Sequence, residues 1–125
     1  MTTTGPLVLH IEDNPSKLKV VQHIFRTTDY RLIEAVDGEE GLQAALAESP
    51  DLILLDIQLP KLSGYDVARQ LKADERSKEI PIIAITSYAM DGDDTKALAA
   101  GCDDYIAKPY RPEVLRERLA RFLSA

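Results

Sequence analysis

A chain of 125 residues is long enough for one domain with a single buried core, and 45% apolar with 29% charged residues is an ordinary globular balance. A formal net charge of −6 argues against a nucleic-acid backbone or an anionic membrane surface as partner. The single cysteine, Cys102, excludes an internal disulfide framework and suits a reducing compartment.

The N-terminal "MTTTGP" has no basic region followed by an apolar core, so no signal peptide is visible, and no apolar run approaches the length of a membrane span. A cytoplasmic protein is expected. Five short apolar runs alternate with helical patterns. The runs are Leu7–Ile11, Tyr30–Val36, Leu52–Leu55, Ile80–Ile85 and Tyr105–Ala107. Mostly lacking period-two alternation, they read as parallel strands covered on both faces.

After the first run, Asn14 offers an N-cap and Pro15 the first helical position, with Leu18, Val21, Ile24 and Phe25 on one face. After the second, Asp37 and Glu40 have capping-box spacing, Leu42, Ala45 and Leu46 point inward, and Pro50 is the stop. Ser63 and Asp66 repeat that spacing before Val67 and Leu71. The fourth helix, from about Asp91 to Ala100, has only Ala97, Leu98 and small neighbours to bury, and Gly101 would end it. The fifth starts near Pro112 and carries Leu115, Leu119 and Phe122 on one stripe. The pattern is α/β, a (βα)5 chain with an open parallel sheet and helices on both faces. It is expected to be a single domain over residues 1–125, with a core over about 6–123 and no output domain.

In open α/β sheets, ligands bind beyond the carboxyl ends of the strands. There the sequence places Glu12 and Asp13 after the first run, Asp56 after the third, Thr86 and Ser87 after the fourth, and Lys108 after the fifth. Asp37-Gly38, after the second, reads as a turn and cap. Three clustered carboxylates cannot all stay ionised unaided, since two like charges 4 Å apart cost roughly 4 kcal/mol at an effective dielectric of 20. Either a pKa rises or a cation binds. Oxygen ligands without supporting His or Cys suit a hard ion, Mg²⁺ before a transition metal. Too few protein ligands to fill an octahedron leave room for water and phosphate oxygens, which argues for phosphoryl chemistry. Asp56 would then be the nucleophile, with Lys108 and the Thr86 hydroxyl contacting phosphate oxygens.

Glu12-Asp13, Asp56 within "DIQLPKLSG", Thr86-Ser87 and Lys108-Pro109, in this order and spacing, resemble the response-regulator receiver domain of two-component signalling. The likeness covers essentially the whole chain. It implies a flavodoxin-like three-layer sandwich with strand order 2-1-3-4-5. It also implies that Asp56 accepts a phosphoryl group from a phosphohistidine on a sensor histidine kinase or a histidine phosphotransfer protein. Mg²⁺ would be held by Asp13, Asp56 and the backbone carbonyl of Gln58, with Glu12 acting mainly through water. Thr86 and Tyr105 match the switch pair, in which the hydroxyl moves to the phosphate and the ring turns inward. Pro109 follows Lys108 as in the family and aims the lysine at the site. Gln58 and Tyr88 stand where family members tune dephosphorylation, and the small Ser87 leaves the phosphate accessible. With no attached module, the expected output is a protein contact through the face built from the fourth helix, fifth strand and fifth helix. "IEDNPSKLKVV" and "GCDDYIAKP" lean towards DivK-like or hybrid-kinase-type receivers. The implied protein is a switch rather than an enzyme with free substrates.

The competing readings are an aspartyl-phosphate hydrolase, a nucleotide or flavin binder, and a receiver-like adaptor that is never phosphorylated. The hydrolase pattern wants a second acid where Gln58 stands, together with a cap domain or a longer chain. No Gly-rich phosphate loop follows the first strand, which disfavours the nucleotide binder. The complete residue set disfavours the adaptor. His10, inside the first strand, reads as a core histidine, and His23 has no acidic or Cys partner at metal spacing. Cys102 reads as a small buried residue. The acidic stretch from Asp91 to Asp94 reads as a helix N-terminus rather than a second metal site.

Overall fold

The computed structural model describes residues 5–86, 93–107 and 110–123. Within them the five apolar runs become one parallel sheet of β1 (Leu7–Ile11), β2 (Arg31–Ala35), β3 (Leu52–Asp56), β4 (Ile82–Thr86) and β5 (Asp104–Ala107), in the order 2-1-3-4-5. The intervening helices are α1 (Pro15–Phe25), α2 (Gly38–Glu48), α3 (Gly64–Ala73), α4 (Asp93–Ala99) and α5 (Pro112–Leu123). This is the flavodoxin-like arrangement.

Side-chain alternation along the strands divides the core in two. Leu9, Ile11, Ile53, Leu55, Ile82 and Ala84 pack beneath α2, α3 and α4. Val8, Leu52, Leu54, Ile83, Ile85 and Ile106 pack beneath α1 and α5. Only β1, β3 and β4 are buried along their whole length. β2 exposes Arg31 and Glu34, and β5 buries Ile106 alone. The expectation of strands covered on both faces therefore holds for the three central strands and not for the edges, where one flank lacks a neighbour to bury against.

The start signals act as the sequence suggests. The Asn14 side chain accepts from the N–H groups of Ser16 and Lys17 at 2.9 and 3.2 Å, ahead of Pro15. Asp37 accepts from Glu40 N–H at 2.7 Å, while the Glu40 carboxylate reaches back to Val36 N–H at 2.9 Å. That reciprocal pair satisfies two otherwise orphaned donors. Ser63 caps α3 through Asp66 N–H at 3.3 Å. Gly101 has φ +109°, a left-handed conformation that stops the fourth helix. Of the α4 side chains described, only that of Ala97 is buried, and Leu98 is 54% exposed.

Candidate functional site

The sheet order reverses between β1 and β3, which opens a crevice beyond their carboxyl ends. Glu12 and Asp13 follow β1 directly, and Asp56 is the last residue of β3. The β3–β4 ladder runs on past the acid, because Ile57 N–H donates to the Ile85 carbonyl at 3.0 Å. Asp56 therefore rides on a rigid strand end rather than a loop. It is 2% exposed, Glu12 is 1% exposed, and Asp13 is open to solvent.

One oxygen from each of Glu12, Asp13 and Asp56 lies within 4.8 Å of the others. Glu12 is fixed by its own N–H, which donates to the Ala35 carbonyl at 2.9 Å, and by Asn14 N–H, which donates to its carboxylate at 3.2 Å. Asp56 Oδ1 accepts Gln58 N–H at 3.1 Å. Asp56 Oδ2 is buried and has no hydrogen-bond partner among the described residues. A buried carboxylate oxygen without a donor is costly unless a cation or a covalent partner completes it. With two further carboxylates in reach, this donor set fits a hard divalent ion with oxygen ligands.

Thr86 ends β4 and is 1% exposed. Its hydroxyl accepts the Gln58 side-chain amide at 2.6 Å. Gln58 thus touches both Asp56, through its backbone, and Thr86, through its side chain. Tyr105 pairs with Ala84 across the β4–β5 ladder and is half-buried against the core beneath α2, α3 and α4. It shares that face with Thr86, two residues along from Ala84. Ser87, Tyr88, Lys108 and Pro109 lie outside the described residues.

Three contributors were not among the residues singled out from the sequence. Gly64, within the stretch "DIQLPKLSG", starts α3 so close to the strand end that a Cβ there would meet the Asp56 carbonyl oxygen at 2.5 Å and Ile57 Cα at 2.6 Å. Its N–H donates to the Ile57 carbonyl at 3.1 Å. Tyr110 packs against the core under α1 and α5, and its phenol is held above the usual pKa by burial first and then by the Glu12 charge. Arg118 on α5 pairs with Asp104 at 3.1 Å and donates to the Tyr105 carbonyl at 3.2 Å. Chain-order spacing gives no sign of any of these contacts. A glycine shortly after a strand-end acid, at the start of a helix, is the one local cue that could have drawn attention to Gly64.

The family model of the response regulator receiver domain matches residues 8–120. The chain is 42% identical over 102 residues to the polar-differentiation response regulator DivK of Brucella ovis, covering 82% of this chain and 83% of that protein. Among solved structures it is similar to the receiver domain of the sensor histidine kinase PA1611 of Pseudomonas aeruginosa, with TM-score 0.89 and 36% identity over 98% of this chain and 100% of that one. In that structure a magnesium ion is coordinated in the active-site cleft. The chemotaxis protein CheY4 of Vibrio cholerae matches with TM-score 0.88 and 27% identity, over 96% of this chain and all of that one.

Proposed function

Because the chain belongs to the response-regulator receiver family, we propose that it is a phosphorylation switch whose acceptor is Asp56. The observation that carries this reading is the buried Asp56 carboxylate, on a rigid strand end, with Oδ2 lacking a donor among the described residues and two more acids beside it.

The donor would be a phosphohistidine on a sensor histidine kinase or a histidine phosphotransfer protein. A carboxylate oxygen of Asp56 attacks phosphorus, the new O–P bond forms, and the N–P bond breaks. The imidazole leaves with the bonding pair and takes a proton from solvent. Asp13, Asp56 and the Gln58 carbonyl would hold Mg²⁺, with Glu12 acting through water. Bound there, the ion would supply positive charge to the transferring phosphoryl oxygens. Thr86 donates its hydroxyl to a phosphoryl oxygen, and Lys108 adds a positive charge. By the family resemblance, Ser87 would leave the phosphoryl group accessible, Tyr88 would tune its loss, and Pro109 would aim Lys108 at the site.

The modification adds about −1.5 to −2 charges at neutral pH. Thr86 moving towards them frees space on its face of the sheet, and Tyr105 turns inward to fill it. The output is a protein contact on the face formed by α4, β5 and α5. α4 suits an element that shifts at little cost, because among its described side chains it buries only Ala97. A negatively charged domain in the cytoplasm, with a protein rather than nucleic acid or membrane as target, is the consistent setting.

Incubation with Mg²⁺ and acetyl phosphate, followed by intact mass measurement, tests the reading. A single phosphoryl gain in wild type that is lost in Asp56→Asn is expected. No gain in wild type, or an undiminished gain in the variant, refutes it.

A further inference from the structure

α4 is held lightly along its length and firmly just past its end. Among its described side chains only Ala97 is buried, whereas Ala100 and Cys102, which follow it, both lie in the core beneath α2, α3 and α4. Cys102 N–H donates to the Ala97 carbonyl at 3.0 Å, and Asp103 N–H to the Ile82 carbonyl at 2.7 Å. Asp103 Oδ2 in turn accepts Ile82 N–H at 2.8 Å. The junction over residues 100–103 is thus fastened to the start of β4 by main chain and side chain together.

Lys72, in the last turn of α3, locks this junction. An ammonium has three N–H donors, and here each finds an acceptor. They are the Ile80 carbonyl at 2.9 Å, the Lys78 carbonyl at 3.2 Å and Asp103 Oδ2 at 3.1 Å. The stem of Lys72 lies against the turn as well, because a Cβ at Gly101 would meet Lys72 Cγ at 2.6 Å. One side chain therefore joins α3, the loop before β4 and the link from α4 to β5. It does so at the amino edge of the sheet, away from the carboxyl edge that carries Asp56. We propose that Lys72 is a positioning residue, a mooring that fixes residues 101–103 so that α4 swings about Gly101 instead of sliding along the sheet.

The proposal rests on the reading that α4 moves when Asp56 is modified, and it adds which end moves and what holds the other. Gly101 suits a pivot, since at φ +109° it already uses backbone freedom that other residues lack. β5 begins directly after the mooring, at Asp104. Tyr105 therefore keeps its main-chain place while its ring turns. A hydrogen bond to a charged group shifts a local opening equilibrium about ten-fold, so removing the ammonium should loosen the junction by about that factor.

The test is backbone amide exchange in wild type, Lys72→Met and Asp103→Asn, first unmodified and then with Mg²⁺ and excess acetyl phosphate. Lys72→Met keeps the stem against Gly101 and removes the ammonium. Asp103→Asn, the milder change, keeps an oxygen for Ile82 N–H and removes the charge facing Lys72. In both unmodified variants the amides of residues 101–103 should exchange about ten-fold faster, while those of β1 and β3 keep their wild-type rates. No rise at 101–103 overturns the proposal. So does an equal rise in β1 and β3, because Lys72 would then serve overall stability alone. In phosphorylated wild type, exchange should change along α4 and stay constant at 101–103, and in phosphorylated Lys72→Met it should change at both. A change at 101–103 in wild type, or none along α4, overturns the swing. If wild type takes no phosphoryl group yet the unmodified variants show the local rise, the acceptor reading fails and the mooring of the junction stands.

Discussion

Gly64→Ala probes how the acceptor is mounted. The added Cβ would sit 2.5 Å from the Asp56 carbonyl oxygen and 2.6 Å from Ile57 Cα. Ordinary carbon contacts lie near 3.5 Å, so the overlap is roughly 1 Å. Both neighbours are backbone, and no rotamer change relieves the clash. Either the first turn of α3 or the end of β3 has to move by that amount. Overpacking of this kind costs about 1–3 kcal/mol. Against it stands the better helix propensity of alanine, about 1 kcal/mol at most. A net destabilisation of about 0–2 kcal/mol follows, read by urea unfolding. The larger effect falls on chemistry, since misplacing a reacting group by about 1 Å lowers a rate about 100-fold. The initial rate of acetyl phosphate labelling should drop towards that limit. Gly38→Ala is the control, because its Cβ would meet the Val67 side chain at 2.7 Å rather than the strand carrying Asp56. It should lose stability without a comparable loss of labelling rate. Wild-type stability and labelling in Gly64→Ala would refute the claim that close packing at Gly64 positions Asp56.

At the β5 edge, Arg118→Ala leaves Asp104 and the Tyr105 carbonyl without the guanidinium that both contact, and the Arg118 and Asp104 side chains are only 25% and 22% exposed. A loss of about 1.5–3 kcal/mol in urea unfolding is expected, and Arg118→Ala with Asp104→Ala together should cost less than the sum of the two. Strict additivity would show that the pair does not interact. Burial pushes the Cys102 thiol from 9.0 up to about 11, with Asp103 adding to the rise and Lys72 partly offsetting it. The raised value means that the neutral thiol's contribution is complete below pH 9.0 and is lost as pH rises through about 11. Over that window wild type should lose about 2–3 kcal/mol more stability than Cys102→Ala. Parallel losses would show that the thiol ionises as it does in the unfolded chain.

Local chemistry carried much of the fold into the sequence. Asn14, Asp37 and Ser63 cap the helices expected of them, because capping depends on residues two to four apart. Strand limits were less legible. The run Ile80–Ile85 became β4 at Ile82–Thr86, since Ile80 N–H is spent on a turn bond to the Ser77 carbonyl and Pro81 has no N–H to give. The run Tyr30–Val36 lost a residue at each end, where Val36 N–H is taken by the Glu40 carboxylate. β5 began one residue early at Asp104, which pairs with Ile83. At the site, the carboxylates were readable because each stands at a strand end. The Gln58–Thr86 bond, the Gly64 approach and the Arg118 clamp were not. They join residues brought together by strand register and helix packing, which no spacing in the chain encodes.

The acceptor's identity is tested most directly by trapping it. Borohydride reduces an aspartyl phosphate to homoserine, releasing phosphate, so the modified position is read by peptide mapping. After Mg²⁺ and acetyl phosphate, homoserine is expected at position 56 and nowhere else. Homoserine at another carboxylate, or none at position 56 in a fully folded sample, would contradict the assignment of Asp56 as the phosphoryl acceptor.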